Sequence, residues 1–315
     1  MFAVRRMTSA DKPAVMAFSS RIWEGRDYLP RVFDAWLADG DGEFDAVLLD
    51  GRVVGCGKLT FFTPVDAWLE GLRKDPSVQE KGLGRALALH FFTLLAARPG
   101  LLSVRFSTST RNRASITTNE RLGFQRRMTL TRMSWQGGRA ELEAVSLANP
   151  AASASAPEVE TVRDESLVYD FLVRFGCFRD TAGLVVDGWQ ARPFSPELLA
   201  ERYVRTGCCR GILSDEGLAG LVIARFDERF SAPRMKIVCL DARDTSVADA
   251  LFDDIFLRLR AAREGPFDIE WMVPAVDRLK RWCAARGLRA EQEDEMVIYE
   301  LPLAALQEPP AAAAP

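Results

Sequence analysis

Metal-binding and disulfide-bonding patterns are scarce in this sequence. It contains one histidine, His90, and six cysteines, none of which forms a C-x-x-C pair. With a single histidine, a zinc site is not expected, and we predict no metal. The cysteine spacing does not resemble a disulfide framework, and several cysteines lie in apolar segments where they pack as small hydrophobic side chains. These features favour a reducing, cytoplasmic compartment.

Long apolar runs and an excess of one charge are also missing. No stretch approaches the ~20 apolar residues of a membrane span, and no apolar run follows the charges near Met1, so we predict neither a membrane segment nor a signal peptide. The 41 basic and 44 acidic residues give a formal net charge of −3. This balance provides no electrostatic attraction toward nucleic acid or an anionic membrane, and neither partner is expected.

The length of 315 residues predicts two domains, at roughly 100–200 residues per domain. Residues 145–157 are small, flanked by proline and low in complexity, which is typical of a linker. We therefore predict a first domain over 1–144, a second over 158–305 and a disordered tail over 306–315.

The hydrophobic pattern predicts alternating strands and helices. The first half has predicted strands at 2–6, 44–49, 53–62, 67–74, 103–107 and 124–135, and predicted helices at 10–23 (with Ser9 as N-cap), after Pro30, and at 85–97 and 113–122. The second half repeats this order, with helices near 165–175, 196–205, 247–264 and 275–286, a hairpin around 215–217, and strands at 235–240, 267–273 and 295–301. The pattern predicts a tandem α/β protein.

The stretch with the most chemical information is Gln79-Glu80-Lys81-Gly82-Leu83-Gly84, which follows a strand and a proline. Glycine allows a positive φ and a close backbone approach, and the first N–H groups of a helix lack internal partners. Together they favour an anion site suited to a pyrophosphate, to which Lys81 and Arg85 add charge-assisted bonds. The alternative is a glycine turn that only starts a helix. Leu87 occupies the third glycine position of a dinucleotide fingerprint, so that motif is excluded.

The spacing Q-x-x-G-x-G, after a strand that ends in x-Pro, resembles the acetyl-CoA loop of the GNAT acetyltransferase superfamily. The stretch from Asn112 to Phe124 resembles the second motif of that family, with Ser115 in place of the usual alanine and Asn119 in place of the usual tyrosine. The resemblance implies an α/β (α+β) GNAT fold, a mixed twisted sheet with helices on both faces, followed by a second, degenerate GNAT-like domain. It also implies acetyl-CoA as the cofactor.

A closer resemblance covers most of the chain. The runs Arg26-Asp-Tyr-Leu-Pro30 with Trp36-Leu37, Glu70-Gly-Leu-Arg73 and Trp189-Gln-Ala-Arg-Pro193 are similar to the vertebrate histidine N-acetyltransferase group. This resemblance implies acetyl transfer to the amine of a small molecule, such as the α-amine of an amino acid like histidine.

The resemblance also implies roles for individual residues. Glu70 is the candidate base that takes a proton from the amine; the alternative is a glutamate that pairs with a neighbouring arginine or faces solvent. The backbone of Leu72, Arg73 and Lys74 is expected to hold the pantetheine arm and polarise the acetyl carbonyl. Asn119 cannot act as an acid, but its amide is a possible hydrogen-bond donor to the leaving thiolate. The predicted cofactor-binding set is completed by residues 79–85 with Asn112 and Ser115.

The predicted acceptor site combines both halves. Asp27 is expected to receive a cationic group and Tyr28 to stack on it, while Trp189 and Arg192 close the pocket and Arg192 meets a carboxylate. The alternatives are a helix-capping Asp27 and a packed Tyr28. Since the second half has no glycine between Asp241 and its helix, we expect it to bind no coenzyme A.

Two other functions remain open at this level. One is an acyl-CoA-binding sensor with weak catalysis, which Lys74 and Asn119 favour. The other is an acetyltransferase whose acceptor is a peptide or protein. The acceptor amine, the acyl-chain preference and the oligomeric state are not predicted by the sequence.

Overall fold

The computed structural model describes residues 1–138, 140–141, 157–227, 234–262, 266–274 and 276–303. By their contacts these residues form two compact units. Unit 1 contains Met1–Arg127 together with the segment that begins at Val297, and unit 2 contains Met128–Met296. Of the predicted linker at 145–157, residues 145–156 lie outside the described residues, as does the predicted tail at 306–315.

Unit 1 contains one mixed sheet with four α-helices. Its strands are β1 (Phe2–Arg6), β2 (Glu43–Leu49), β3 (Arg52–Thr63), β4 (Asp66–Lys74) and β5 (Ser103–Ser109), and its helices are α1 (Lys12–Ser19), α2 (Leu29–Ala38), α3 (Leu83–Ala96) and α4 (Arg113–Arg121). The order β1-β2-β3-β4 is antiparallel, whereas β4 and β5 are parallel. A parallel pair needs a crossover connection, and α3 provides it.

Helices cover both faces of this sheet, because alternate residues of each strand enter different cores. On β2, Val47 packs with α3 side chains such as Leu87. Its neighbours Phe44 and Ala46 pack with Phe33 and other residues of α1 and α2. The sheet therefore packs apolar side chains on both of its faces.

Unit 2 repeats the same plan. Its strands are β7 (Glu160–Thr161), β8 (Leu184–Asp187), β9 (Gln190–Pro193), β10 (Cys209–Ser214), β11 (Gly217–Asp227), β12 (Arg234–Ala242) and β13 (Phe267–Pro274), and its helices are α5 (Glu165–Phe175), α6 (Pro196–Leu199), α7 (Thr245–Ala262) and α8 (Asp277–Ala285). The order β7-β10-β11-β12 is antiparallel and β12–β13 is parallel, with α7 as the crossover. The tandem repeat of elements is confirmed.

Each half contributes its last strand to the other unit. Strand β6 (Gln125–Gly137) follows α4, yet from Met128 onward it belongs to unit 2, where it pairs with β13. Strand β14 (Arg289–Pro302) follows α8, and from Val297 onward it belongs to unit 1, next to β5. The compact units are not contiguous in sequence. The predicted division into contiguous domains at 1–144 and 158–305 stays a prediction.

Buried charges hold both exchanged strands. In unit 1, Arg105 on β5 donates to Glu300 on β14 at 2.7 Å. In unit 2, Arg132 on β6 donates to Glu270 on β13 at 2.9 Å. Both glutamates are at most 11% exposed in their side chains, and the loss of an arginine partner from a buried carboxylate is destabilising.

Some sequence predictions are wrong in detail. The first helix does not span 10–23, and Ser9 is not its N-cap. Ser9–Asp11 form a 3-10 turn capped at Thr8, and α1 ends at Ser19. The predicted helix at 196–205 is a short α-helix continued by a π-helix over Ala200–Val204. Strands β8 and β9 were not predicted. In the described part of the chain, none of the helices combines the length and apolar character that crossing a membrane requires.

Asp11, at the start of α1, makes the stability of the protein depend on pH in the acid range. Its carboxylate accepts from Arg5 at 2.7 and 2.8 Å and from the Thr8 backbone N–H at 2.9 Å. The hydrogen bonds from Arg5 lower its pKa from 3.8 to about 2. A depressed carboxyl pKa adds stability that is present above about pH 4 and is lost as the pH falls towards 2.

We therefore expect Asp11→Asn to lower the unfolding free energy at pH 7 by on the order of 1–2 kcal/mol. Denaturant unfolding followed from pH 7 to pH 2.5 should show that the difference from wild type shrinks as the pH falls. Asp34→Asn is the matched control, since Asp34 pairs with Lys12 while 73% exposed, and it should have little effect. A constant difference across the pH range would contradict the assignment.

Candidate active site

The parallel strands β4 and β5 separate at their carboxyl ends. Their pairing runs from Asp66–Ser103 to Leu69–Phe106, and among the described residues this ladder goes no further, although β4 continues to Lys74 and β5 to Ser109. Helices α3 and α4 both start at this edge. Ligands of open α/β sheets bind outside the carboxyl ends of strands where neighbouring connections diverge. By this rule the gap is the candidate ligand site of unit 1.

A β-bulge lies at the start of this gap. Cys56 pairs with Arg73 and Lys58 with Glu70, so Gly71 and Leu72 together oppose Gly57. Gly71 has φ +68°, and a Cβ there would lie 2.4 Å from the Trp36 ring. Both its conformation and its contact with Trp36 therefore require glycine. The bulge changes the direction of the side chains that follow Glu70.

The predicted cofactor loop ends at a helix N-terminus without a side-chain cap. Gly82 is the N-cap of α3 with φ +101°, and a Cβ there would meet open space, so its backbone conformation is what demands glycine. The first α3 N–H groups have no intrahelical partner, and the first turn contains no acidic residue. Lys81 and Arg85 are exposed beside it. Chemically this is an anion site.

Gly84 is different from Gly82. It lies inside α3, and a Cβ there would lie 3.6 Å from Leu72 Cδ2, an ordinary contact. Leu72 is 46% exposed, so an apolar side chain of β4 lies at the surface beside the start of α3. The geometry gives Gly84 no steric requirement, and its predicted role in cofactor binding stays a prediction.

The loop is braced from its first residue. Asp75 Oδ1 accepts from the backbone N–H and the hydroxyl of Ser77, at 2.8 and 2.7 Å, and from Arg21 at 2.7 Å. Val78 is buried in the core beneath α3. Lys74 donates to the Glu80 carbonyl at 2.8 Å. The Lys74 side chain is thereby folded onto the loop.

Glu70, the predicted base, is half-buried on β4, and its Oε1 accepts from the Thr60 hydroxyl at 3.0 Å. Tyr28 is close enough for the two side chains to interact electrostatically. Burial raises the pKa of Tyr28, the Arg73 charge lowers it, and the Glu70 charge raises it. Glu70 and Tyr28 thus share one neighbourhood on the α1–α2 face of the sheet.

Asp27 and Arg73 form a buried ion pair in the same neighbourhood. Their side chains are 1% and 8% exposed, and Arg73 donates to both carboxylate oxygens, Nη2 to Oδ1 at 2.9 Å and Nε to Oδ2 at 3.0 Å. Asp27 also accepts from the Ser19 hydroxyl at 2.9 Å and the Leu29 N–H at 3.2 Å. Since its carboxylate is occupied in this way, the expectation that Asp27 directly receives a cationic substrate does not fit the geometry.

Aromatic rings surround the guanidinium of Arg73. The Trp23 ring centroid is 4.4 Å and the Tyr28 centroid 4.9 Å from its central carbon, and Tyr28 meets Trp36 edge to face at 6.1 Å. Sequence reasoning missed Trp23, Trp36 and Thr60, and it assigned only the backbone of Arg73. Trp36 belongs to the family-like run Trp36-Leu37, which was the available signal.

Asn119 lies on α4 with its amide directed along its own helix. Nδ2 donates to the Ser115 carbonyl at 2.8 Å and lies 3.3 Å from the Ser115 hydroxyl. Asn112 caps the helix, accepting from the Ser115 N–H at 3.2 Å. Both polar side chains are therefore engaged in local bonds, which weakens the predicted donation from Asn119 to a thiolate.

Trp189 and Arg192 belong to unit 2. They lie in the hairpin of β8 and β9, where Arg192 is half-buried and its Nη2 donates to Gln190 at 3.3 Å. Asp187, at the end of β8, is buried and accepts from Arg225 at 2.7 Å. The hairpin is thus anchored to β11 of its own unit by a charged pair.

The corresponding helix N-terminus of unit 2 is already capped. Asp244 Oδ1 accepts from the Val247 N–H at 3.0 Å and from the Ser246 hydroxyl at 2.6 Å, at the start of α7. A carboxylate therefore occupies the position where an anionic ligand would bind. The same point of the repeat has an uncapped glycine in unit 1 and an aspartate cap in unit 2.

The fold agrees with comparisons to known proteins. Residues 8–124 match the model of the acetyltransferase (GNAT) family. No curated protein matches the chain.

Similar solved structures cover nearly the whole chain. A GCN5-related N-acetyltransferase from Sphaerobacter thermophilus is 15% identical, with a TM-score of 0.63 and 96% of each chain covered. A tandem GNAT protein from the clavulanic acid biosynthesis pathway is 16% identical, with a TM-score of 0.60, 96% of this chain and 98% of that one covered. A GCN5-related N-acetyltransferase from Kribbella flavida is 14% identical, with a TM-score of 0.52, 97% of this chain and 72% of that one covered. At these identities the likeness establishes the fold.

Proposed function

We propose that this chain acetylates the amine of a small molecule. The premise is that it is an acetyl-CoA-dependent acyltransferase with the GNAT fold. The observation that carries the proposal is the gap between β4 and β5, with Glu70 on one side and the uncapped N-terminus of α3 at its end. A carboxylate and a helix N-terminus whose chemistry suits an anion are thereby brought to one edge of one sheet.

The residues present fit acetyl-CoA. Residues 79–82 and the first turn of α3 would hold its pyrophosphate, with Lys81 and Arg85 adding positive charge. The backbone of residues 72–74 would hold the pantetheine arm along the separated edge of β4. When bound, acetyl-CoA supplies a thioester carbonyl carbon that an amine can attack.

Glu70 has the task of taking a proton from the acceptor. An α-amine has a pKa of ~8, so at neutral pH most of it is protonated and cannot attack. Glu70, directly or through one water, removes a proton, the nitrogen–carbon bond forms and the carbon–sulfur bond breaks. Thiolate release needs no strong acid, because a free thiol has a pKa of ~8.5 and water can return the proton. Asn119 is not required in this scheme.

The acceptor would meet the side chains on the α1–α2 face. Tyr28, Trp36 and the exposed Trp23 offer aromatic surface, while Asp27 is reassigned to holding Arg73. An amino acid such as histidine is one candidate, with Arg192 proposed to meet its carboxylate. Trp189 is retained as a proposed contact from unit 2, which itself is proposed to bind no coenzyme A.

Release of free coenzyme A thiol from acetyl-CoA tests the proposal, with the full chain and a panel of amino acids and polyamines that includes histidine. We expect saturable turnover with a small amine. Acetyl-CoA binding, measured by calorimetry, without turnover on any member would overturn the small-molecule assignment.

The local bonds of Asn119 support a second candidate, a sensor that binds acyl-CoA with weak catalysis. A sensor would bind acetyl-CoA tightly and show no turnover on small amines or on peptides with free N-termini. Turnover on the peptides alone would instead indicate a macromolecular acceptor.

A further inference from the structure

The segment from Arg21 to Asp27 is tied at both ends to the cofactor strand and loop. At one end Arg21 Nη2 donates to Asp75 Oδ1 at 2.7 Å. At the other end Asp27 forms the buried bidentate pair with Arg73. Arg73 and Asp75 flank Lys74, at the exit from β4. We call residues 21–27 the strap.

The strap has little internal support. Its backbone hydrogen bonds join residues three positions apart in sequence, for example Gly25 N–H to the Ile22 carbonyl at 3.0 Å. Trp23, Glu24 and Gly25 have φ values of +49°, +58° and +80° in succession. Left-handed backbone at a bulky residue such as tryptophan is unfavourable and persists only where the surroundings impose it. The ion pairs Arg21–Asp75 and Asp27–Arg73 hold its two ends, and Ile22 packs against the core of α1 and α2.

The strap also presents acceptor-site groups. Trp23 is 56% exposed, and its ring lies over the Arg73 guanidinium. Tyr28 follows Asp27 directly. A displacement of the strap backbone that moves Trp23 or Tyr28 therefore changes this aromatic surface.

Asp75 belongs to both the strap contact and the loop. The same oxygen, Oδ1, accepts from Arg21 and from the Ser77 N–H and hydroxyl that shape the start of the loop. Hydrogen bonds from Ser77 and the charge of Arg21 outweigh burial and lower the pKa of Asp75, so the carboxylate stays charged at neutral pH. A ligand that orders residues 77–82 also fixes Asp75, and Asp75 fixes Arg21.

We propose that Asp75 is a positioning residue that couples acetyl-CoA binding to the acceptor site through Arg21 and the strap. The proposal rests on the proposed function in one respect, that the loop binds coenzyme A. Coupling is reciprocal, so an acceptor that orders the strap also tightens cofactor binding. Coupling between sites is typically 5- to 150-fold in affinity, and we expect the lower part of this range.

Hydrogen exchange of the full chain with and without coenzyme A tests the coupling without any acceptor. In the wild type, coenzyme A should slow exchange in peptides covering residues 19–29 as well as in those covering 76–86. In Arg21→Ala, protection of 76–86 should remain while protection of 19–29 falls to less than half. Arg21→Lys should restore part of it, because a lysine keeps the charge but not the planar donor.

Arg26→Ala is the matched control. Arg26 lies in the same strap and pairs with Glu24, but both side chains are more than three-quarters exposed. It should leave the coenzyme A effect on 19–29 unchanged. A similar loss in Arg26→Ala would mean that any change in the strap abolishes the effect.

The failures of the two proposals are distinguishable. If calorimetry shows no coenzyme A binding to the wild type, the cofactor assignment fails, and the coupling fails with it. If coenzyme A binds and protects 76–86 but 19–29 does not respond, or if Arg21→Ala responds like wild type, only the coupling is wrong. Once an acceptor is known, Arg21→Ala should raise its KM about 5- to 10-fold with kcat little changed.

Discussion

Glu70→Gln is expected to lower kcat by about 100- to 10,000-fold at pH 7, the usual range for loss of a general base. Glutamine has the shape of glutamate and can still accept from the Thr60 hydroxyl, but it cannot take a proton. The dissociation constant of acetyl-CoA should change little, since Glu70 precedes the loop by nine residues and the proposed cofactor contacts do not include its side chain. Coenzyme A thiol release and calorimetry measure the two quantities.

The pH profile separates a base from a merely structural glutamate. As the pH rises from 7 to 9, more of the amine is already deprotonated in solution, so the need for a base declines. The ratio of wild-type to Glu70→Gln rates should therefore fall steeply over this range. Glu24→Gln is the control, as Glu24 is a highly exposed glutamate and should retain near wild-type kcat. A Glu70→Gln rate within about threefold of wild type at pH 7 would assign the base elsewhere.

The sequence was sufficient where signals are local. The strands on either side of the Asp50-Gly51 turn were predicted, and so was the loop that starts α3, from its proline and two glycines. Aspartate-glycine pairs favour tight hairpin turns, and such turns and caps depend on neighbouring residues. Asp187-Gly188 carries the same turn signal and marks the β8–β9 hairpin, which was nevertheless missed. The first helix was predicted to continue to Trp23, whereas α1 ends at Ser19 and Trp23 begins a 3-10 turn that ends at Gly25.

Contacts between distant residues could not be predicted in this way. The pair Asp27–Arg73 spans 46 positions, and Arg105–Glu300 spans 195. Periodicity identifies β6 and β14 as strands but does not identify the strands beside them, so the exchange of last strands was invisible. The consequence for the site is direct: Asp27 was predicted to meet substrate, whereas the structure gives its carboxylate to Arg73.

The helix caps of the two halves differ, and this difference predicts a second large effect, on the affinity for coenzyme A. The N-terminus of α3 has Gly82 as its cap, whereas that of α7 has the Asp244 carboxylate bonded to the Val247 N–H. Gly82→Asp places a carboxylate at the corresponding point of unit 1. It would occupy the α3 N–H groups and repel a pyrophosphate. Loss of two charge-assisted bonds at about 1.5 kcal/mol each corresponds to roughly 100-fold weaker binding.

We expect calorimetry to give one coenzyme A per wild-type chain and at least 100-fold weaker binding for Gly82→Asp, by the same estimate. Any side chain at φ +101° is strained, so a control must carry equal strain. Gly100 has φ +88° and open space around its Cβ position, and Gly100→Asp should therefore match the stability loss while keeping affinity. Gly82→Asn, which retains hydrogen bonding but lacks the charge, should fall between wild type and Gly82→Asp. Two sites per wild-type chain would show that the Asp244 cap does not exclude the ligand, and unchanged affinity in Gly82→Asp would show that the α3 N-terminus does not bind the pyrophosphate.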